Sequence, residues 1–564
     1  MMIRKSTAKG FLWILISLGV LGCADMDPVE FDVEKPLSIK KQEELNSLEE
    51  LKTYTSDDSR FKLGAGVSMS AYNAQGAMFS LTNENFQEVT AGYGMKHGAI
   101  VNDDGSLNLT SVNEFVENTT EQGVTIYGHT LMWHANQNAS YLKSAIAPKE
   151  IPLPDGPGWM VLLDQSFETD DATGYQTNGP NAPIAFTAEG EGYNGVGRAL
   201  KIVNAEVRAN DWESQLFVTF PKVTEVGQKY RLEMDVRTEI AASFPTQAHT
   251  APGGYKYWNF FGSISSTPEW KHINVETTID ANTSGCNTIA FNLGANATTY
   301  YFDNIVVSWY NSKGVTYEER TPEEKKDTLS AHLEKWIEGI MTASKSNTHA
   351  WDVVNEPMDD ANPYELKTGV GKTDLAEDEF YWQDYLGKDY AVTAFKLAEM
   401  YSNPDDLLFI NDYNLEYNLD KCKGIIEYVN YIEEQGARVD GIGTQMHINI
   451  DSDKAKITEM FQLLAATGKM IKVSELDIGV GVKTTEANEE LYVAQEEMYK
   501  FVMDQYFSLV PKAQQYGITI WSPTDSPASS SWRAGEPIGL WTEGFTRKPA
   551  YRGVVEGLGG IDIN

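Results

Sequence analysis

Trp351-Asp352-Val353-Val354-Asn355-Glu356-Pro357 is a short apolar run ending in a carboxamide beside a carboxylate. Val473-Ser474-Glu475-Leu476-Asp477 has the same character further along the chain, with Val473, Glu475 and Asp477 expected on one face. Short, β-branched runs of this kind read as buried strands. Others lie at Phe61 to Val67, Val124 to Tyr127, Ala350 to Val354, Leu407 to Ile410, Gly441 to Gly443, Ile471 to Val473 and Gly517 to Trp521, with amphipathic helical stretches between them. That alternation specifies a parallel α/β fold. Polar clusters follow the runs: Gly128 to His134, Asn355-Glu356, Gln445-Met446-His447, Glu475 to Asp477, and Trp521 through Asp525 to Trp532. A (β/α)8 TIM barrel gathers its active site from such strand ends.

One stretch breaks the rhythm. Between Pro154 and Tyr310 helical periodicity gives way to alternation, as in Tyr230, Leu232, Met234 and Val236 against Arg231, Glu233, Asp235 and Arg237. This predicts an antiparallel β-sandwich inserted into a loop of the α/β domain. Helical signals resume at Thr321-Pro322-Glu323-Glu324, a capping residue, a first-turn proline and a glutamate three positions on, followed by the stripe Leu329, Leu333, Trp336, Ile337 and Ile340. The expected layout is a signal peptide over 1–22, a tether and leading helix over 23–58, barrel over 59–153, sandwich over 154–310, and barrel again over 311–564.

The 564 residues are 41% hydrophobic, enough for a large core, and carry 45 basic against 81 acidic side chains. The resulting charge of −36 repels a polyanion, so a nucleic-acid partner is not expected. The three cysteines, Cys23, Cys286 and Cys422, are too few and too far apart for a disulfide framework or a thiolate zinc site. At the start, Arg4, Lys5 and Lys9 precede the apolar run Phe11 to Leu21, which is shorter than the ~20 residues of a membrane span and reads as an export signal. Its end, Val20-Leu21-Gly22-Cys23, resembles a bacterial lipobox. That implies lipidation at Cys23, a membrane anchor, and residence in the cell envelope, on its surface.

Two glutamates at the ends of separate strands, among aromatics and without metal-ligand spacing, suit cleavage of a glycosidic bond. One carboxyl protonates the leaving oxygen, and the other, ionised, attacks or activates water. No cofactor is expected for that chemistry.

On Gly128 to His134, Trp351 to Pro357, Asn411-Asp412-Tyr413-Asn414, Asp440 to His447, Val473 to Ile478 and Lys548-Pro549-Ala550-Tyr551, the chain resembles glycoside hydrolase family 10, the (β/α)8 endo-β-1,4-xylanases. The resemblance covers about Lys62 to Leu153 and Val315 to Val555. It implies xylan and xylo-oligosaccharides as substrates and a retaining double displacement, with Glu356 as general acid/base and Glu475 as nucleophile. It further implies that Asn355 holds a sugar hydroxyl, that His447 keeps Glu475 ionised, and that Asp477 orients His447. Lys96, His129, Trp133 and Gln445 would line the site, and Trp521 and Trp532 would wall the cleft. The acid's pKa would be held up until the nucleophile's charge is consumed. A cellulase or mannanase on the same barrel, or a non-catalytic glycan-binding lipoprotein, are the alternative readings.

The insert resembles carbohydrate-binding modules of families 4 and 22, opening on Leu163 to Glu168 and closing on Tyr300 to Ile305. The resemblance implies a structural calcium with Glu168 and Asp303 as candidate ligands. Trp212, Tyr255, Tyr257, Trp258 and Trp270 are candidates for a sugar-stacking platform. One departure stands out in the barrel. Where the family carries T-P-E-N-E-M-K-W, this chain has Thr90-Ala91-Gly92-Tyr93-Gly94-Met95-Lys96-His97, so Gly92 and Tyr93 replace a sugar-binding Glu and Asn. Weaker use of plain oligosaccharides and tolerance of decorated xylan are expected.

Overall fold

A computed structural model describes residues 37–55, 60–169 and 175–559. Cys23 and the export signal lie outside the described residues. Among the described residues, eight strands form the ring of one sheet in chain order: β1 Lys62–Val67, β2 Glu88–Ala91, β3 Thr125–Met132, β4 Thr348–Asn355, β5 Leu407–Asp412, β6 Gly441–Thr444, β7 Met470–Gly479 and β8 Gln515–Ile520, and the short strand His447–Asn449 adds beside β7. Every neighbouring pair is parallel, and β8 pairs back onto β1, so the sheet closes into a barrel. The sequence reading anticipates seven of these strands and misses β2. That strand has four residues and begins with a glutamate, so it carries too short an apolar signal. Glu88 is nevertheless buried, because it points into the barrel at Lys472, 2.7 Å away, and accepts from the Tyr516 hydroxyl at 2.6 Å.

The barrel interior is layered. Tyr127, Phe409 and Tyr516 pack around the Glu88–Lys472 pair with ring centroids 5.0–5.8 Å apart, Phe409 edge to face with both tyrosines. The Tyr127 hydroxyl donates to Asp352 at 2.5 Å, and the other Asp352 oxygen lies 2.8 Å from His129 Nδ1. This polar layer is the floor of the cleft above. Outside the barrel, the helix Pro322–Ser344 buries Leu329, Leu333, Trp336, Ile337 and Ile340, the stripe read from the sequence. Its first turn carries Glu323 and Glu324, which favour the positive end of the helix dipole.

Two irregularities decide where side chains point. On β4 the register shifts between Asp352 and Val354, and both Val353 and Val354 join the apolar layer under the helices while Asp352 and Asn355 face inward. On β7 it shifts between Val473 and Leu476. Val473 therefore packs in the apolar layer and does not share a face with Glu475 and Asp477, contrary to strict alternation. A bulge re-aims the residues that follow it.

The residues from Ala147 to Thr321 form a second compact unit. It is wider than the expected 154–310 because an antiparallel ribbon, Lys149–Pro152 against Val315–Glu318, precedes and follows the sandwich. The sandwich itself has two antiparallel sheets. Leu232, Met234 and Phe302 from one sheet and Phe244, Ile289 and Phe291 from the other fill a common core, with Phe302 5.5 Å from Phe291. Among the described residues no helix is long and apolar enough to cross a membrane.

Candidate active site

The residue that follows β4, Glu356, and the middle of β7, at Glu475, meet in one buried network. Glu475 accepts from Asn411 Nδ2 at 3.1 Å, Asn411 donates to Asn355 at 2.9 Å, and Gln445 Nε2 donates to Asn355 at 3.4 Å and to Glu356 at 2.9 Å. Three amides thus link the two carboxyls and fix their mutual position. Asn411 is also held by the Ser474 hydroxyl at 2.7 Å. Glu356 has a left-handed backbone (φ 52°), and its N–H donates to Asn411 O at 2.7 Å. Such a conformation in a non-glycine residue persists where surrounding contacts over-determine it.

The electrostatics separate the two acids. Burial pushes Glu475 up, but the hydrogen bond from His447 and the nearby His129 and Lys96 outweigh it and hold the carboxyl below its usual value. His447 lies between two carboxylates, with Nε2 3.4 Å from Glu475 and Nδ1 2.7 Å from Asp477. Burial alone would lower its pKa, yet Asp477 and Glu475 push it up to about 10, so the imidazolium persists at neutral pH. Trp532 Nε1 donates to Asp477 at 2.8 Å, and Arg533 Nη1 lies 3.2 Å from the other Asp477 oxygen.

Around Glu356 the expectation needs correction. Burial raises its carboxyl, but Lys367 foremost, with His134 and the Gln445 hydrogen bond, pulls it below the ordinary range rather than holding it up. Lys367 Nζ is 3.5 Å from Glu356 Oε2, is almost fully buried, and stands 4.4 Å over the Tyr413 ring. Sequence reading passes over Lys367 because it sits in an irregular loop eleven positions past the glutamate, with no motif around it. It also passes over Asp352, which orients His129, although a charged residue within an apolar strand was a signal for it. A third omission is Glu416, fully buried with both carboxylate oxygens unpaired; burial pushes it up to about 7.

The other expected cleft residues converge here. Lys96 Nζ stands 4.3 Å over the Trp133 ring and 3.3 Å from Asn136 Oδ1; burial lowers its pKa against the pull of Glu475 and Glu356. The Trp521 ring lies 5.7 Å from His129, and the Trp532 ring 4.5 Å from His447. The insert candidates do not form one group. Trp212, Tyr255, Tyr257 and Trp258 flank the sheet containing Gln215–Thr219 and Ala242–His249, whereas Trp270 packs with Tyr193 and Arg237 against the other sheet. Glu168 accepts from Arg198 N, and Asp303 from Tyr193 N and Asn304 N. Among the described residues, no three His, Cys, Asp or Glu side chains converge as a metal site.

The family model of glycosyl hydrolase family 10 matches residues 50–153 and 296–557. An endo-1,4-beta-xylanase D of Talaromyces funiculosus is 31% identical over 238 residues, 41% of this chain and 53% of that protein. An endo-1,4-beta-xylanase of Agaricus bisporus is 28% identical over 235 residues, 41% of this chain and 64% of that one. The chain thus spans between about half and two thirds of these relatives' length. The structure of a family 10 protein from Paenibacillus barcinonensis superposes with a TM-score of 0.52 at 17% identity, covering 92% of this chain and 99% of that one.

Proposed function

Because the chain belongs to glycosyl hydrolase family 10, we propose that it hydrolyses β-1,4-xylosidic bonds within xylan by a retaining double displacement, Glu475 acting as nucleophile and Glu356 as general acid/base. The observation that carries this is the pair of buried carboxyls on β4 and β7, tied together by Asn411, Asn355 and Gln445. Glu475 is kept ionised by His447 and attacks the anomeric carbon, forming a glycosyl ester as the glycosidic C–O bond breaks. Glu356 gives its proton to the departing oxygen. It then takes a proton from the water that hydrolyses the ester, which frees Glu475. Retention requires the carboxyls to stand ~5–5.5 Å apart, against ~6.5–9.5 Å for inversion. Since Lys367 holds Glu356 low, its acid form is populated on the acidic side, and kcat/KM falls as pH rises through its titration.

A reducing-sugar assay on xylan, cellulose and mannan separates this reading from a glucanase, a mannanase and an inert glycan-binding barrel. Glu475→Ala should abolish turnover, and azide should restore cleavage of an activated aryl xyloside with inverted product. Release of the α-anomer first by the wild type, seen by NMR, would falsify the retaining mechanism.

A second reading concerns the insert, which we propose binds a β-glycan. Supporting it is a row of buried polar side chains on the outer face of the second sheet: Gln215 donates to Asn292 at 2.8 Å, Gln247 lies 3.3 Å from His249 Nε2, and His249 Nδ1 has no partner. Exposed Trp212 and Tyr255 flank the row. Affinity electrophoresis of the full chain carrying Glu475→Ala should show retardation in xylan that Trp212→Ala or Tyr255→Ala weakens. Structural calcium at Glu168 and Asp303 is part of the same proposal, as one carboxylate each in a shell of six to eight oxygens. A lower melting temperature in EGTA checks it. Lipid attachment at Cys23 is checked by loss of fatty-acid labelling in Cys23→Ala.

A further inference from the structure

We propose that the groove beside Gly92 and Tyr93 receives a neutral pentose branch carried on the glycone part of the xylan chain. The inference rests on the xylanase reading above and adds a substrate class to it. A cavity of about 900 Å³ opens between the loops that follow β1, β2 and β8, toward the upper end of the ~300–1,000 Å³ of small-molecule clefts. Trp521 and Trp532 belong to its wall and reach the rings of His129 and His447 beside Glu475. Lys367, His134 and Tyr413, the neighbours of Glu356, come instead from the loops after β4, β3 and β5. The leaving group departs on the side of the acid. The groove therefore lies on the other side, along the sugars that become bonded to Glu475.

Three glycines near its mouth differ in what they are for. A Cβ on Gly66 would lie 2.3 Å from Trp521 O, and one on Gly94 would lie 2.7–2.8 Å from the Met69 side chain, so packing excludes side chains at both. At Gly92 the nearest protein atoms would be Val67 O at 3.8 Å and the Trp521 ring at 3.9 Å, and the backbone is not left-handed. The protein itself has room for a side chain there. What its absence leaves open is the groove, whose wall Tyr93 continues with a half-exposed ring.

The lining sets the chemistry of the occupant. Ser68, Ser70, Asn73 and Ser111 offer hydroxyls and an amide suited to sugar hydroxyls, and Glu114 adds one carboxylate. Among the described residues, no lysine or arginine lines the cavity. A uronic acid branch would meet Glu114 without a compensating cation, whereas a pentose branch carries no charge; the repulsive element gives the selectivity.

The test compares full-length wild type, Gly92→Glu and Gly92→Ala on xylohexaose and on the same backbone bearing one arabinosyl or one glucuronosyl branch. For Gly92→Glu the ratio of kcat/KM on the arabinosyl substrate to that on the plain one should fall by about tenfold or more, the scale of a misfit in a substrate pocket. Gly92→Ala should lie between, and it carries the test if the glutamate variant does not fold. Wild type should prefer the arabinosyl to the glucuronosyl branch, and Glu114→Gln should narrow that preference. Unchanged ratios in both Gly92 variants would overturn the groove proposal alone. A wild type that cuts no xylan would overturn the xylanase reading, and the groove proposal with it.

Discussion

Replacing Asp477 by asparagine probes the charge balance behind Glu475. His447 is buried, which by itself favours neutral imidazole, yet Asp477 at 2.7 Å and Glu475 at 3.4 Å push it up to about 10. Against an ordinary value of ~6.5 that is a difference of about 3.5 pH units, or on the order of 5 kcal/mol at ~1.36 kcal/mol per unit. The folded state binds this proton more tightly than the unfolded state. The resulting stability is fully present below about pH 6.5 and is lost as pH rises through about 10, by at most ~1.4 kcal/mol per pH unit. In Asp477→Asn the imidazole loses the carboxylate that raises it most and keeps Glu475 at 3.4 Å, with Glu416 nearby, so the His447 pKa falls. The stability difference between wild type and variant should be largest below pH 6.5 and shrink toward pH 10. Trp532 and Arg533 contact the same carboxylate, and asparagine keeps one acceptor oxygen for them, so the change at these two contacts adds an offset separate from the His447 titration. Urea unfolding from pH 5.5 to 10, with the His447 ring followed by NMR, measures both quantities. A difference that stays flat across the window, or a variant His447 still titrating near 10, would refute the reasoning.

Three further outcomes follow from the same geometry. Lys367→Met removes the cation that chiefly opposes the burial of Glu356, so that carboxyl should titrate higher and the basic limb of the kcat/KM profile should move to higher pH; an unmoved limb would disconnect Lys367 from the acid. Gly128→Ala places a Cβ about 2.2 Å from the Trp351 ring, and this overpacking should cost ~1–3 kcal/mol in urea unfolding; an unchanged midpoint would mean that β3 and β4 separate freely. Lys472→Met leaves Glu88 without its cation inside the barrel, at a cost of ~3–5 kcal/mol, and adding Glu88→Gln should recover part of that loss.

Most of the barrel was legible because its strands are covered on both faces and so stand out as apolar runs; β7 is buried along its whole length. The positions of Glu356 and Glu475 were legible because each ends such a run beside another polar residue. What sequence could not supply was phase. A bulge adds no distinctive residue, yet it turns Glu475 inward beside Ser474, so that both contact Asn411. Partners were hidden in two other ways: Lys367 reaches Glu356 only through the path of the irregular loop that follows β4, and Glu88 meets Lys472 only once the barrel closes. The aromatic residues of the insert were visible as a set, but their division between two sheets depends on strand order.

The ribbon that brackets the sandwich also bears on how the chain folds. Because Lys149 pairs with Glu318 and Pro152 with Val315, the folded insert returns the chain almost to where it left, and the host closes around what is in effect a tight turn. With the insert unfolded, the same closure spans the roughly 175 residues from Ala147 to Thr321. About five doublings of loop length separate those cases, an entropic penalty of ~3 kcal/mol. Damage confined to the sandwich is thereby felt by the barrel as a loss of stability, even where no side chain of the barrel has changed.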